Sequence, residues 1–281
     1  MNTIETYSAV CMKCSREVTK HYSTSFSWAI KLLHKDLQQH IHAIYGFVRL
    51  ADEIVDTFHQ YDKEKLLNVF RSDVYAAIHN KVSLNPVLQS FQLTIHQYNI
   101  PLQLVDDFLE SMEMDLDKKV YHTHEELDSY IYGSAEVVGL MCLMVFCEGN
   151  EALYNDLAPA AQQLGAAFQK INFLRDLEDD QSHLQRSYFP GVDLRNFDEQ
   201  VKQTVENGIA TDFEAAMKGI LKLPIKARFG VYVAYRYYFS LFKRIRKQRA
   251  ASILQQRIRI PNVQKLAIIL DAGIRSKMGA W

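Results

Sequence analysis

Glycine and proline are scarce in this chain: 17 residues out of 281, about 6% against roughly 12% in average usage. Tight turns consume these residues, so a fold built from many short strands is excluded and helices are favoured. An excess of charge of one sign is also missing. Thirty-two basic and 33 acidic side chains leave a formal net charge of -1, so no global field steers the chain to nucleic acid or anionic lipid, and an anionic ligand has to be held locally. Four cysteines in 281 residues make no disulfide framework. The lone Cys11-x-x-Cys14 lacks the second ligand pair or the βαβ pattern that a zinc or redox site needs, and reads as two half-buried helix residues. No apolar run approaches the roughly 20 residues that span a bilayer. The longest, Val137 to Cys147, is closed off by Glu136 and Glu148 after 11 residues and reads as a buried core helix. Met1 to Val10 shows no basic segment followed by an apolar one, so the chain is expected to stay in the cytoplasm, at most peripheral at the inner face of the membrane.

What is abundant is hydrophobic residues, 48% of the chain, recurring at three and four positions in long stretches. One apolar face, from Trp28 through Leu33, Leu37, Ile41, Ile44 and Val48 to Val55, continues for about eight turns. Further candidate helices cover 65–80, 102–119, 125–147, 151–183, 211–221, 224–249 and 261–277. The prolines, Pro86, Pro101, Pro159, Pro190, Pro224 and Pro261, read as helix boundaries. No alternating stretch competes as a strand, and no repeat, low-complexity segment or linker is present. A single all-α domain over residues 1–281 is the expected organisation, a helical bundle with a central apolar cavity.

Asp52 and Asp56 lie four apart on one predicted helix, and so do Asp176 and Asp180, so each pair projects two carboxylates from one face. Eighteen aspartates in 281 residues give about one such pair by chance, and the neighbours must decide. Neither pair has a Lys or Arg three or four residues later to offset the repulsion between like charges. Gln169, Asn172, Asp176 and Asp180 advance by three, four and four, aligning four oxygen donors on one stripe. Both pairs sit in apolar context, Asp52 after Ile44 to Ala51 and Asp176 after Ala166 to Leu174, and buried carboxylates need counter-charge. Magnesium suits such a site, since it takes one or two carboxylates plus waters and substrate phosphates; manganese is the natural substitute. A polar helix face meeting water is the plain alternative.

Two acid clusters facing each other across a bundle suggest a metal and diphosphate at the mouth of an apolar cavity. That layout suits ionisation of an allylic diphosphate, with 32 aromatic residues available to wall off water and stabilise a cation. A di-iron bundle also pairs carboxylates on helices, but no histidine follows Glu-x-x. The basic stretch Lys243 to Arg249, with Arg257 and Arg259 beyond, lacks any nucleic-acid module. It reads as a solvated face or as contact with an anionic membrane surface.

Five ordered blocks carry a resemblance across nearly the whole chain: Tyr22-Ser23-Thr24-Ser25-Phe26, Ala43 to Asp56, Tyr130 to Gly139, Gln169 to Asp180, and Arg186-Ser187-Tyr188-Phe189-Pro190. In type and order they resemble the squalene and phytoene synthases, and most closely the bacterial phytoene synthases around Asp176. The resemblance implies an all-α isoprenoid-synthase fold and head-to-head condensation of two prenyl diphosphates. It implies that Asp52, Asp56, Asn172, Asp176 and Asp180 hold magnesium, that Arg49 contacts diphosphate, and that Tyr45 and Tyr130 are active-site tyrosines. Ser23, Ser25 and Gln169 match further pocket and diphosphate positions, and Arg186 and Tyr188 belong to the last motif.

Where many members carry glycine in the tyrosine-rich motif, this chain has Glu136, whose carboxylate either points away from the substrate or reshapes its pocket. The expected reaction joins two geranylgeranyl diphosphates through a cyclopropylcarbinyl diphosphate and ends in proton loss to phytoene. NADPH is not expected to take part. A C30 product from farnesyl diphosphate is the alternative, and a non-catalytic assembly factor of the same family a further one. A desaturase is the expected downstream partner of a carotenoid-forming enzyme.

Overall fold

The computed structural model describes residues 3–118, 120–179, 188–189, 197–255 and 257–279, which form thirteen α-helices and one π-helical turn with no β-strand among them. The all-α expectation holds. The helices are α1 (Thr3–Tyr22), α2 (Thr24–Ile30), α3 (Lys35–Asp56), α4 (Lys63–Asn80), α5 (Pro86–Tyr98), α6 (Leu102–Asp117) and α7 (His124–Ile131). After the π turn Tyr132–Glu136 come α8 (Val137–Cys147), α9 (Glu151–Asp179), α10 (Glu199–Lys222), α11 (Ile225–Arg246), α12 (Ala250–Ile253) and α13 (Asn262–Lys277).

Local chemistry sets many of the ends. Ser23, Asp62, Asn85, Thr123 and Asp198 each accept a backbone N–H of the first turn that follows them, which satisfies donors that helix geometry leaves open. Pro86 opens α5, and Pro101, Pro224 and Pro261 cap α6, α11 and α13. Pro159 departs from the boundary reading and lies inside α9. It is exposed, so the carbonyl its ring leaves unbonded can be solvated. Pro190 lies outside the described residues.

Apolar periodicity did not reveal α1 or α5, and the structure gives the reason. The buried stripe of α1 is Cys11, Ser15 and Thr19, small or polar residues at helical spacing, with Ser15 and Ser90 hydroxyls 2.5 Å apart where α1 meets α5. Helix α5 is buried on most sides, including Gln89, Ser90, Gln92 and Thr94, so its apolar positions Leu88, Phe91, Ile95 and Tyr98 are interleaved with buried polar ones. The apolar run from Trp28 to Val55 is broken at residues 31–34. Leu32 and Leu33 bond back to Ala29 and Ile30, and the His34 N–H donates to the Lys226 carbonyl at 2.8 Å. The apolar spacing survives the turn because Leu33 packs against Gly230 of α11. Helix α10 begins at 199 rather than 211, since its first turns face inward through Lys202 and Glu206, paired at 2.5 Å.

Two cores result. One gathers α3 to α6 and α8 around stacked Phe47 and Phe91, with ring centroids 4.0 Å apart. The other gathers α9 to α13 around Phe213, Tyr235 and Phe242. The segment His124–Cys147 is long and apolar enough to cross a membrane by length and composition; its apolar half, α8, packs against α3, α6 and α9 as the core helix its sequence predicts. Within this segment the π turn passes close to its neighbours. A Cβ on Gly133 would lie 2.8 Å from the Asp107 carbonyl of α6, and one on Gly165 of α9 would lie 2.8 Å from the Ala135 carbonyl. Glycine at both positions lets three backbones approach.

His40 and His42 of α3 are buried in the first core, and burial pushes both imidazoles down to about 4. His40 is fixed by the Thr94 hydroxyl at 3.0 Å and by the edge of Tyr98. Between the ordinary histidine pKa and about 4, the unfolded chain binds more protons than the folded one, so stability falls as pH falls through that window. Urea midpoints measured from pH 7 to pH 4 are expected to show a shallower slope for His40→Gln/His42→Gln than for wild type, by up to about 1.4 kcal/mol per pH unit for each imidazole removed. Identical slopes would show that the two histidines titrate normally.

Candidate active site

A cavity of about 680 Å³ lies between the two cores, within the range of ligand sites. Helices α3 and α9 run along it, from Asp56 back to Ile41 and from Asp176 back to Leu157, about 28 Å of helix on the α9 side. One end is polar and holds the carboxylates. The other is lined by Leu143, Phe146, Leu157 and Leu223. Between them the walls are aromatic: Phe168 stacks on Tyr238 at 3.8 Å, Phe173 on Tyr188 at 3.9 Å, and Phe26 meets Tyr45 at 6.1 Å.

Ten of the residues singled out from sequence line this cavity: Ser23, Tyr45, Arg49, Asp52, Asp56, Tyr130, Gln169, Asn172, Asp176 and Tyr188. Ser25 does not; on α2 the cavity takes Phe26, Ala29 and Ile30, and Ser25 lies about a quarter of a turn off the middle of that face. Asp180 and Arg186 lie outside the described residues. Glu136 also stays out of the cavity. It lines a smaller pocket with Asp156, Gln162, Lys218 and Lys222, where the Gln162 amide donates to its carboxylate at 3.1 Å and burial pushes it up to about 7. The expectation that Glu136 reshapes the substrate pocket gives way to the other one: the carboxylate points away.

The acidic end is under electrostatic load. Burial, followed by the charge of Asp56, pushes Asp52 up to about 7 despite the attraction of Arg49. Arg49 lies 4.0 Å from Asp52, pairs with Glu53 and covers the Tyr22 ring at 4.3 Å. Its buried Nε has no hydrogen-bond partner, which leaves a donor free for an anion. Across the cavity Asp176 receives Arg175 Nε at 2.9 Å and Arg257 Nε at 2.8 Å. Tyr130 donates to Asp115 at 2.9 Å. Burial pushes Tyr45 and Tyr238 up to about 12, so both phenols stay neutral and present uncharged rings.

Sequence reasoning missed Asp115, Arg175 and Arg257. Asp115 was readable as a carboxylate on the apolar stripe of α6, one turn beyond Met112 and two beyond Phe108. Arg257 had no local signal. Its sequence neighbours read as a solvated basic stretch, and only the contact of Arg257 with α9 brings it to Asp176.

The donor set suits a hard divalent cation. Asp52, Asp56, Asp176 and Asn172 offer oxygen alone, and the repulsion that raises Asp52 is what a cation relieves. Among the described residues, no three His, Cys, Asp or Glu side chains form a metal cage by themselves. Magnesium takes part of its coordination from water and substrate oxygens, so an incomplete protein shell is consistent with it.

Comparisons with known proteins agree with this geometry. The family described as squalene/phytoene synthase matches residues 19–264. A 4,4'-diapophytoene synthase of Staphylococcus haemolyticus is 27% identical over 75% of this chain and 72% of its own length. A 15-cis-phytoene synthase of Paracoccus sp. is 24% identical over 91% of this chain and 88% of its own. The solved structure of a dehydrosqualene synthase in complex with ligand shares the fold, with a TM-score of 0.85 at 21% identity, covering 99% of this chain and 100% of that one.

Removing the Asp52 charge should stabilise the metal-free protein. A carboxyl held at about 7 costs stability when ionised above that pH and costs nothing below the ordinary aspartate range, where it is protonated in both states. Asp52→Asn is expected to raise Tm by about 2–5 °C at pH 8 in chelator and to leave it nearly unchanged at about pH 3, below the ordinary aspartate pKa. Asp36→Asn, exposed on the first turn of the same helix, serves as the control. A lower Tm for Asp52→Asn at pH 8 would contradict the repulsion.

Proposed function

Because the chain belongs to the squalene/phytoene synthase family of prenyltransferases, whose members condense prenyl diphosphates head to head, we propose that it joins two geranylgeranyl diphosphates to give phytoene. The observation that carries this reading is the facing set Asp52, Asp56 and Asp176 with Arg49, Arg175 and Arg257, at the mouth of an aromatic-walled apolar cavity. The phytoene synthase of Paracoccus, aligned over 91% of this chain, supports the C20 substrate.

The family uses a divalent metal in ionising the diphosphate, and here magnesium held by Asp52, Asp56, Asn172 and Asp176, with Asp180, would offset the leaving group's negative charge. The chain's own residues do the rest. Arg49, with its unpartnered Nε, and Arg175 and Arg257, now turned onto Asp176, exchange carboxylate for diphosphate oxygens and hold the leaving group. The C1–O bond of the first substrate breaks with its electron pair going to diphosphate. The double bond of the second substrate attacks that C1, and ring closure with loss of a proton gives a cyclopropylcarbinyl diphosphate. A second ionisation and rearrangement end in loss of another proton, leaving a triene and two diphosphates. Phe26, Phe168, Phe173 and the neutral rings of Tyr45 and Tyr238 keep water from the cations and face them with π-electrons.

A C30 reading has its own support, the 27% identity to a diapophytoene synthase, and the same chemistry would then run on farnesyl diphosphate. Incubation of the purified chain with each diphosphate and magnesium, with and without NADPH, and identification of the hydrocarbon separates the two. Phytoene from geranylgeranyl diphosphate, unchanged by NADPH, is expected, and Asp176→Asn should lower turnover by at least 100-fold. A C30 product from farnesyl diphosphate, with none from geranylgeranyl diphosphate, would overturn the substrate assignment, and NADPH-dependent squalene would overturn proton loss as well.

A further inference from the structure

Helix α13 wears its apolar residues on the wrong side for a globular protein. Ile268 and Ala272 face inward, and the helix lies on α11, with Gly273 beside the Phe229 ring. Yet Val263, Leu266, Leu270, Ile274 and Met278, at its C-cap, are 81, 53, 61, 58 and 68% exposed. At 100° per residue these five fall within a stripe of about 120°, opposite the packed face.

The charge around this stripe is one-sided. From Lys243 to Trp281 the chain carries ten Lys and Arg and a single acid, Asp271, although its net charge is only -1. Asp271 is taken by Arg236 and Arg275. Lys243, Arg244, Lys247, Arg249, Arg259 and Lys277 are exposed. Arg244 reaches Gln264 at 3.3 Å, so the basic end of α11 lies alongside the start of α13.

We propose that α13 docks on an anionic lipid surface, its apolar stripe entering the boundary between headgroups and acyl chains and the surrounding lysines and arginines meeting lipid phosphates. A helix with an apolar stripe and basic flanks has the composition of an interfacial helix. A second copy of the chain fits less well. The stripe is about 24 Å long and about 10 Å wide, on the order of 240 Å² where a stable dimer needs about 800 Å² from each partner, and self-association would bring the two basic surfaces together. The docked helix is close in the chain to the cavity rim. Arg257, at the rim beside Asp176, lies five residues before α13, within about 20 Å along the chain. None of this depends on which prenyl diphosphate the cavity takes.

The test is flotation of the full chain with vesicles of phosphatidylcholine alone and of phosphatidylcholine with about one-third phosphatidylglycerol. Binding to the anionic vesicles at low salt is expected, at least tenfold stronger than to neutral ones and lost in high salt. Leu270→Glu should cut it at least tenfold while leaving helix content and turnover of detergent-dispersed substrate unchanged, since the side chain is largely exposed. Leu266→Ser/Ile274→Ser should do the same by removing apolar area without adding charge. Equal flotation of wild type and both variants, no flotation of wild type, or a concentration-dependent dimer dissolved by Leu270→Glu would each overturn the proposal.

Discussion

Carboxylates concentrated at the mouth of an apolar cavity are the constraint on which the rest of this structure turns. Asp52, Asp56 and Asp115 approach from α3 and α6, and Asp176 from α9. Burial and mutual repulsion raise Asp52 to about 7, a cost a stable protein tolerates only where the charge is used. Three arginines partly offset it. Arg49 sits beside Asp52, and Arg175 and Arg257 hold Asp176, contacts that compete with any incoming metal or anion. The same side chains thus stabilise the free protein and are positioned to change partners when substrate arrives.

That arrangement needs α3, α6 and α9 held in register. Close backbone approach supplies it: Gly133 in the π turn meets α6 and Gly165 of α9 meets the π turn, tying both to the segment that carries Tyr130 and Ser134. The inserted residue of the π turn changes the helical phase between α7 and α8. Tyr130 can therefore reach Asp115 while Glu136 turns to the outer pocket with Gln162. A carboxylate that would have crowded an apolar channel is thereby kept out of it.

Much of this was legible in the residues. The helical class followed from scarce glycine and proline and from apolar spacing, and the Asp52 and Asp176 blocks led to the two helices that border the cavity. What stayed hidden had physical causes. Helix α1 buries Ser15 and Thr19 and α5 buries glutamines, so in both the buried face is partly polar and harder to read as a core stripe. Arg257 lies 81 residues from Asp176, which it binds. The exposed stripe of α13 has the same spacing as a buried one, and only packing tells which side of a helix meets the core.

The most direct measurement is calorimetric titration of magnesium into the purified chain, with and without inorganic diphosphate. Four oxygen-bearing side chains that do not close a cage by themselves should bind magnesium weakly alone. They should bind it at least tenfold more tightly with diphosphate present, and Asp52→Asn or Asp176→Asn should abolish that gain. Tight magnesium binding that diphosphate leaves unchanged, or a gain that survives both substitutions, would contradict a site completed by its substrate.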